Sequence, residues 1–398
     1  MEKRLADYNI SYTSLAHVGL LVFYFLAGVT LFNLLPNDND QYVSADSVSY
    51  RKQALQVCDS PFEPIYKVMQ EGDPVNLNWA TVVSAGGVAC YLDHEYFDVV
   101  VFAGNLFLLM LILFYYRNIL TLLQVPWSAS RVFFLIFATQ TWLIASLTSL
   151  NKEVFSYLIV AVLALFYLRG SVALILLAGV LGGLVKVQFF VFSLMLIASI
   201  YGVGFWKQLL MIAALLTVVY QSFDLFIFDV DNYFSRYGYN IRTAEIAKHL
   251  NSLLDYPLTF LIVMPIRLVI NLFSGFSPAR LLSVDSWMAF SYQVNAILLS
   301  STAFLALCIY IYNRNSLNMR LLEFSLLYGM LMCLLPFFQL RYFLPLLPLF
   351  LLMMMRPEEL LKSSSGTASQ MWRTVLSWAV SYVGAGRKQH DVWDSGRS

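Results

Sequence analysis

Charge is what this chain lacks. Lys, Arg, Asp and Glu together make up 12% of its 398 residues, against roughly 25% in an average soluble domain. The deficit is not spread evenly: long uncharged apolar runs recur along most of the length. A net charge of +1 says nothing about nucleic acid, but no basic face interleaved with aromatics is present, so no nucleic-acid partner is expected. Four cysteines (Cys58, Cys90, Cys308 and Cys333) show no C-x-x-C spacing, and four histidines show no H-E-x-x-H spacing. No metal site is therefore expected, and no cofactor is implied. No soluble domain and no internal repeat stand out.

What is present in abundance is apolar and aromatic residue, 59% and 16% of the chain. Recurrent uncharged runs of that composition predict an all-α polytopic membrane protein. The expected spans lie near 15–35, 98–116, 131–150, 154–168, 171–186, 187–205, 208–228, 289–312, 321–338 and 341–355, about ten crossings. The stretch 15–35 resembles a signal peptide in outline, but its apolar run is too long and lacks a small-residue cleavage site. It reads as a retained first helix.

Orientation follows from the basic residues. Arg117, Arg131, Arg169, Lys207, Arg314, Arg320 and Arg356 fall on one side, the cytoplasmic one, if both termini are inside. That places polar segments 37–97 and 229–288 outside, within a transmembrane domain spanning 1–356. Residues 357–398 form a cytoplasmic tail, in which Met371 to Tyr382 are spaced for a helix lying in the interface. The first outer segment holds nine carboxylates, and its apolar piece 79–92 is short enough to be re-entrant or interfacial. Cys58 and Cys90 share this segment and can pair if it faces an oxidising compartment. The piece 258–276, interrupted by Pro265 and Arg267, reads as a second re-entrant or surface-lying element.

Asn151, Lys152 and Glu153 organise the rest. They sit between two apolar runs with no room for a soluble loop, and a charge at the bilayer centre costs about 2.5–3.5 kcal/mol on insertion scales. The triplet therefore lies at a membrane surface or lines a wet cavity. Lys186, inside the apolar stretch 172–205, either snorkels or supplies charge at a hairpin top. Arg341 opens Arg-Tyr-Phe-Leu-Pro and either anchors the interface or, with Arg236 or Arg267, grips a diphosphate. Asp46 and Tyr50, four residues apart, would share a helix face, and Glu63 opens Glu-Pro-Ile-Tyr.

Taken together, Asp46-x-x-x-Tyr50, Glu63-Pro-x-Tyr66, Leu150-x-Lys152-Glu153 and Arg341-Tyr-x-x-Pro345 resemble motifs of the O-antigen and exopolysaccharide polymerases. More widely, the layout resembles the polytopic GT-C-type glycosyltransferases that use polyprenyl-linked sugars. Ile65 stands where that family commonly has glycine, and the second outer segment carries no duplicated Arg-x-Gly. The resemblance implies glycosyl transfer at the outer face of a bacterial inner membrane, extending a surface polysaccharide. Its partners would be a polyprenyl-linked glycan donor, a glycan acceptor, membrane lipid and other polysaccharide-assembly proteins. Asp46, which matches the early-loop acid, would be the first choice for the base, with Glu63 and Glu153 behind it. Lys152, Lys186, Arg236, Arg267 and Arg341 would hold the phosphate, and Tyr50, Tyr66, Tyr233 and Tyr237 would stack on sugars. The competing expectations are a transporter or flippase of lipid-linked oligosaccharide, and a non-catalytic member of an assembly complex.

Overall fold

A computed structural model describes residues 18–30, 45–71, 77–125, 127–211, 260–273, 287–312, 316–333 and 340–355. These segments are helical, with no strand among the described residues. In chain order the helices are α1 (Val18–Thr30), α2 (Ala45–Gln56), α3 (Glu63–Glu71), α4 (Leu77–Leu92), α5 (Phe97–Leu122), α6 (Trp127–Ala138) and α7 (Thr141–Leu147). Then come α8 (Glu153–Arg169), α9 (Val172–Val185), α10 (Val187–Ile200), α11 (Phe260–Phe273), α12 (Trp287–Tyr312) and α13 (Ser316–Met332). Two 3-10 turns, Leu340–Tyr342 and Leu344–Leu346, lead into α14 (Leu347–Met354).

Helix α5 and the Tyr292–Ile311 stretch of α12 are long and apolar enough to cross a membrane. Many large apolar side chains face outward, among them Phe107, Phe114, Leu177, Leu181, Ile262, Val269 and Phe304. Water would not tolerate so much exposed apolar surface on a monomer, whereas lipid does. Residues 131–150, expected as one span, are instead two helices meeting at 58°. The break falls at Thr139–Gln140, where the Gln140 amide is fully buried and neither of its polar atoms meets a hydrogen-bond partner among the described residues. The run stays apolar on both sides of the break, which is why hydropathy alone misses the bend.

The segment 37–97, expected as an outer loop, is helical over most of its described length. Helix α4 is not a peripheral piece: it packs against α2, α3, α5 and α9, burying Ala80, Val82, Val83 and Ala89. Gly86 permits this, since a Cβ there would lie 2.7 Å from the Ala54 Cβ on α2 and collide with Leu150. Cys58 and Cys90 form a disulfide closing a 32-residue separation and tying the end of α2 to α4. A bidentate pair from Arg51 to Asp98, at 2.8 and 2.9 Å, ties α2 to the start of α5. It is solvent-exposed and contributes about 0–1 kcal/mol.

Helix α11, at 14 residues, packs against α12 and α13 and buries Val263, Met264, Arg267 and Leu268. The main core gathers α5 to α10, α12, α13 and α14 around Tyr116, Phe133, Phe137, Phe189, Phe192 and Phe324. The stretch 208–228, beyond the helical residues 205–211, and the tail 357–398 lie outside the described residues.

Two substitutions test the packing. Removing the disulfide with Cys58→Ser is expected to cost about 3–4 kcal/mol, from the loop entropy of a 32-residue closure. It is read as a mobility change on non-reducing gels and a lowered midpoint in detergent. In the α9–α10 hairpin a Cβ on Gly179 would overlap Ser193, whereas Gly104 on α5 has open space. Gly179→Leu is expected to lose about 1–3 kcal/mol, with Gly104→Ala unchanged in the same thermal scan.

Candidate functional site

Three chain breaks meet at one end of the bundle. The first is the 148–152 turn between α7 and α8, and its shape is fixed by two asparagines. Asn105 on α5 donates Nδ2 to the carbonyls of Leu147 (2.9 Å) and Ser149 (3.1 Å). Asn151 donates to the Ser146 carbonyl (2.7 Å) and the Ser149 carbonyl (3.0 Å), while its Oδ1 accepts the Glu153 backbone N–H at 3.0 Å. That last bond satisfies one of the orphan donors at the start of α8. Lys152 and Glu153 are thereby presented in a fixed register at the helix N-terminus.

The second break is Lys186. Its extended backbone (φ −153°, ψ 122°) separates α9 from α10, so the residue sits at the tip of their hairpin. The tip is anchored from the side by Thr81 on α4, whose hydroxyl donates to the Leu184 carbonyl at 2.7 Å. The third break is the pair of 3-10 turns before α14, which carries Arg341 and Tyr342. Tyr328 on α13 holds this segment by donating its hydroxyl to the Tyr342 carbonyl at 2.8 Å.

The three cations converge on one ring. Lys186 Nζ lies 4.4 Å, Arg341 Cζ 5.2 Å and Lys152 Nζ 5.8 Å from the Tyr342 centroid. Glu153 Oε1 lies 3.7 Å from Arg341 Nε. Lys152, Glu153 and Lys186 are buried, and the Arg341 side chain is 15% exposed. Each cation–π contact contributes about 0.5–1 kcal/mol, more where desolvated. Glu153 gains as well from the positive end of α8. Burial opposes the charge on Lys152, but the Tyr342 and Tyr50 phenols and the Glu153 carboxylate outweigh it and push its pKa upward. Its ammonium therefore stays protonated through neutral pH. Among the described residues three cations gather beside one carboxylate.

Beside Glu153 lies a small polar cleft lined by Ser47, Trp142, Ala145, Ser146, Ser149 and Asn151. It has room for about one water molecule.

The other expected site residues fall as follows. Tyr50 is buried on α2 within a second, smaller core that includes Ala54, Val83 and Leu150. Its phenol acts on the charge of Lys152, which puts Tyr50 beside the cation cluster as well. Asp46 is in the first turn of α2, one residue before the cleft-lining Ser47, and its side chain is outside the described residues. Glu63 and Tyr66 are exposed on α3, so neither is enclosed for chemistry. Arg267 enters a different arrangement: fully buried on α11, it donates Nη1 to the Cys333 carbonyl at 2.9 Å, at the end of α13. Arg236, Tyr233 and Tyr237 lie outside the described residues. Sequence reasoning gave no role to Tyr342, Asn105 or Trp142. Only Tyr342, adjacent to Arg341 in a motif already singled out, carried a usable signal.

Comparisons with protein families, with curated proteins and with solved structures give no match.

The turn's geometry rests on Asn151. Asn151→Ala is expected to destabilise the protein by about 1–3 kcal/mol, the cost of leaving buried backbone groups unmatched. The exposed Asn118→Ala, which loses a single bond within α5, is expected to stay within about 0.5 kcal/mol. Chemical or thermal unfolding in detergent separates the two.

Proposed function

We propose that the chain is a membrane glycosyltransferase that moves a sugar or oligosaccharide from a polyprenyl phosphate or diphosphate at the outer face, extending a surface polysaccharide. The observation that carries this reading is the convergence of Lys152, Lys186 and Arg341, from three distant segments, on Tyr342 beside Glu153. Phosphate is the anion such a group suits: Arg offers a bidentate fork and the lysines offer point charge. The short helices around it would let a lipid carrier enter laterally from the bilayer. In this scheme about ten crossings place both termini inside a bacterial inner membrane, with the cations toward the outer leaflet.

The chemistry follows from the placement. The leaving phosphate accumulates negative charge as the anomeric bond breaks, and fixed cations in a low-dielectric site stabilise that charge with little reorganisation. A carboxylate takes the proton of the attacking hydroxyl. Among the described residues Glu153 is the carboxylate in contact with the cations, and it is assigned this role, with Asp46, one residue before the cleft-lining Ser47, as the alternative. No step calls on a metal or cofactor.

A second reading, a transporter or flippase of lipid-linked oligosaccharide, draws on the bent α6–α7 pair with its buried Gln140, since broken helices often mark transport pathways. Lipid analysis distinguishes the two. Arg341→Ala and Glu153→Gln are expected to abolish polymer, with single lipid-linked units accumulating and the protein still present in the membrane. Units trapped on the inner leaflet would favour the flippase. Normal polymer length in both variants would remove these residues from the chemistry.

A further inference from the structure

The cleft next to Glu153 carries two polar atoms whose needs are complementary. Trp142 is 7% exposed and lines the cleft; its indole Nε1–H is buried and has no hydrogen-bond partner among the described residues. Glu153 Oε1 is likewise buried without a hydrogen bond, although it faces Arg341. One is a donor and the other an acceptor, and buried groups of this kind in a native protein normally find partners. A hydroxyl group has the chemistry to serve both: it can accept from an indole N–H and donate to a carboxylate. The space available matches one such group. The indole is not free to turn away, because its ring packs edge-on against Tyr292 at 5.7 Å. On the other side, Asn151 fixes the Ser146–Glu153 backbone that forms the rest of the wall.

We propose that this cleft, between α7 and the 148–152 turn, is the site that receives the attacking hydroxyl of the acceptor sugar, with Trp142 holding the oxygen while Glu153 takes the proton. The inference rests on the glycosyltransferase reading and adds the acceptor side to it. The step balances without a further reagent. The acceptor oxygen forms a bond to the anomeric carbon, its proton passes to the Glu153 carboxylate, and the bond to phosphate oxygen breaks with the electron pair leaving on the phosphate. Only the hydroxyl and its carbon need enter a cleft this small. The sugar ring would lie at its mouth, beyond Ser47 and Ser149, whose hydroxyls are 3.4 Å apart.

Two measurements on the full chain in proteoliposomes test this. In a Cys308→Ala, Cys333→Ala background, Ser149→Cys is expected to react with a methanethiosulfonate ethyltrimethylammonium probe added outside. Lipid-linked glycan extracted from cells lacking the protein should slow that labelling. Failure of the Ser149→Cys variant to label, while an exposed Tyr96→Cys variant does label, would overturn the proposal. In transfer assays with the same glycan pool, Trp142→Phe is expected to raise the acceptor concentration for half-maximal rate at least tenfold. Its donor requirement should be unchanged, and Trp142→His, which restores a ring N–H, should recover part of the loss. A wild-type-like Trp142→Phe sinks this inference alone, whereas a wild type that transfers no sugar sinks the glycosyltransferase reading and this inference with it.

Discussion

One end of the bundle is arranged around charge held in low dielectric: two buried ammonium groups and a mostly buried guanidinium about a single phenol ring. Left in low dielectric, such a group would be costly, since desolvation of one ion alone amounts to several kcal/mol. Three features offset the cost. Glu153 sits beside Arg341, the Tyr342 ring presents its electron-rich face, and the start of α8 supplies N–H dipoles to the carboxylate. None of these works unless the three chain breaks stay at the same level. The asparagine latches, the Thr81 anchor on the hairpin and the Tyr328 strut on the 3-10 turns hold them there.

The opposite end of α8 shows a different solution. There Tyr167 and Ser199 both donate to the Glu323 carboxylate, at 3.1 and 2.7 Å, joining α8, α10 and α13. Fourteen residues of helix separate Glu153 from Tyr167, about 21 Å along the axis. The acid at that end is satisfied by neutral hydroxyls, and the arrangement reads as a clasp. The acid at the Lys152 end stands among cations with one carboxylate oxygen lacking a hydrogen bond. Two carboxylates on one bundle are thus given different surroundings.

Much of this was legible before any coordinates. The scarcity of charge foretold apolar helices, and the few charges that interrupt them (Lys152, Glu153, Lys186 and Arg341) are the ones that meet. Lys186 sits at a hairpin tip as its position between two apolar runs suggested. What the pattern could not carry were features marked by uncharged residues. The α6–α7 bend falls at Gln140, the close approach of α4 to α2 turns on Gly86, and the shared platform is a tyrosine among twenty-four. Arg267 looks the same in sequence as Arg341, and only the fold shows that its Nη1 donates to a backbone carbonyl.

The α9–α10 hairpin has a consequence for the lipid around it. Each arm has 14 residues and therefore reaches about 21 Å, against roughly 30 Å of hydrocarbon in a typical bilayer. Its outward faces, Leu177, Val180, Leu181 and Phe190, are apolar and exposed. In a bilayer, acyl chains beside so short a wall would have to compress to match it, and the leaflet would dimple toward Lys186.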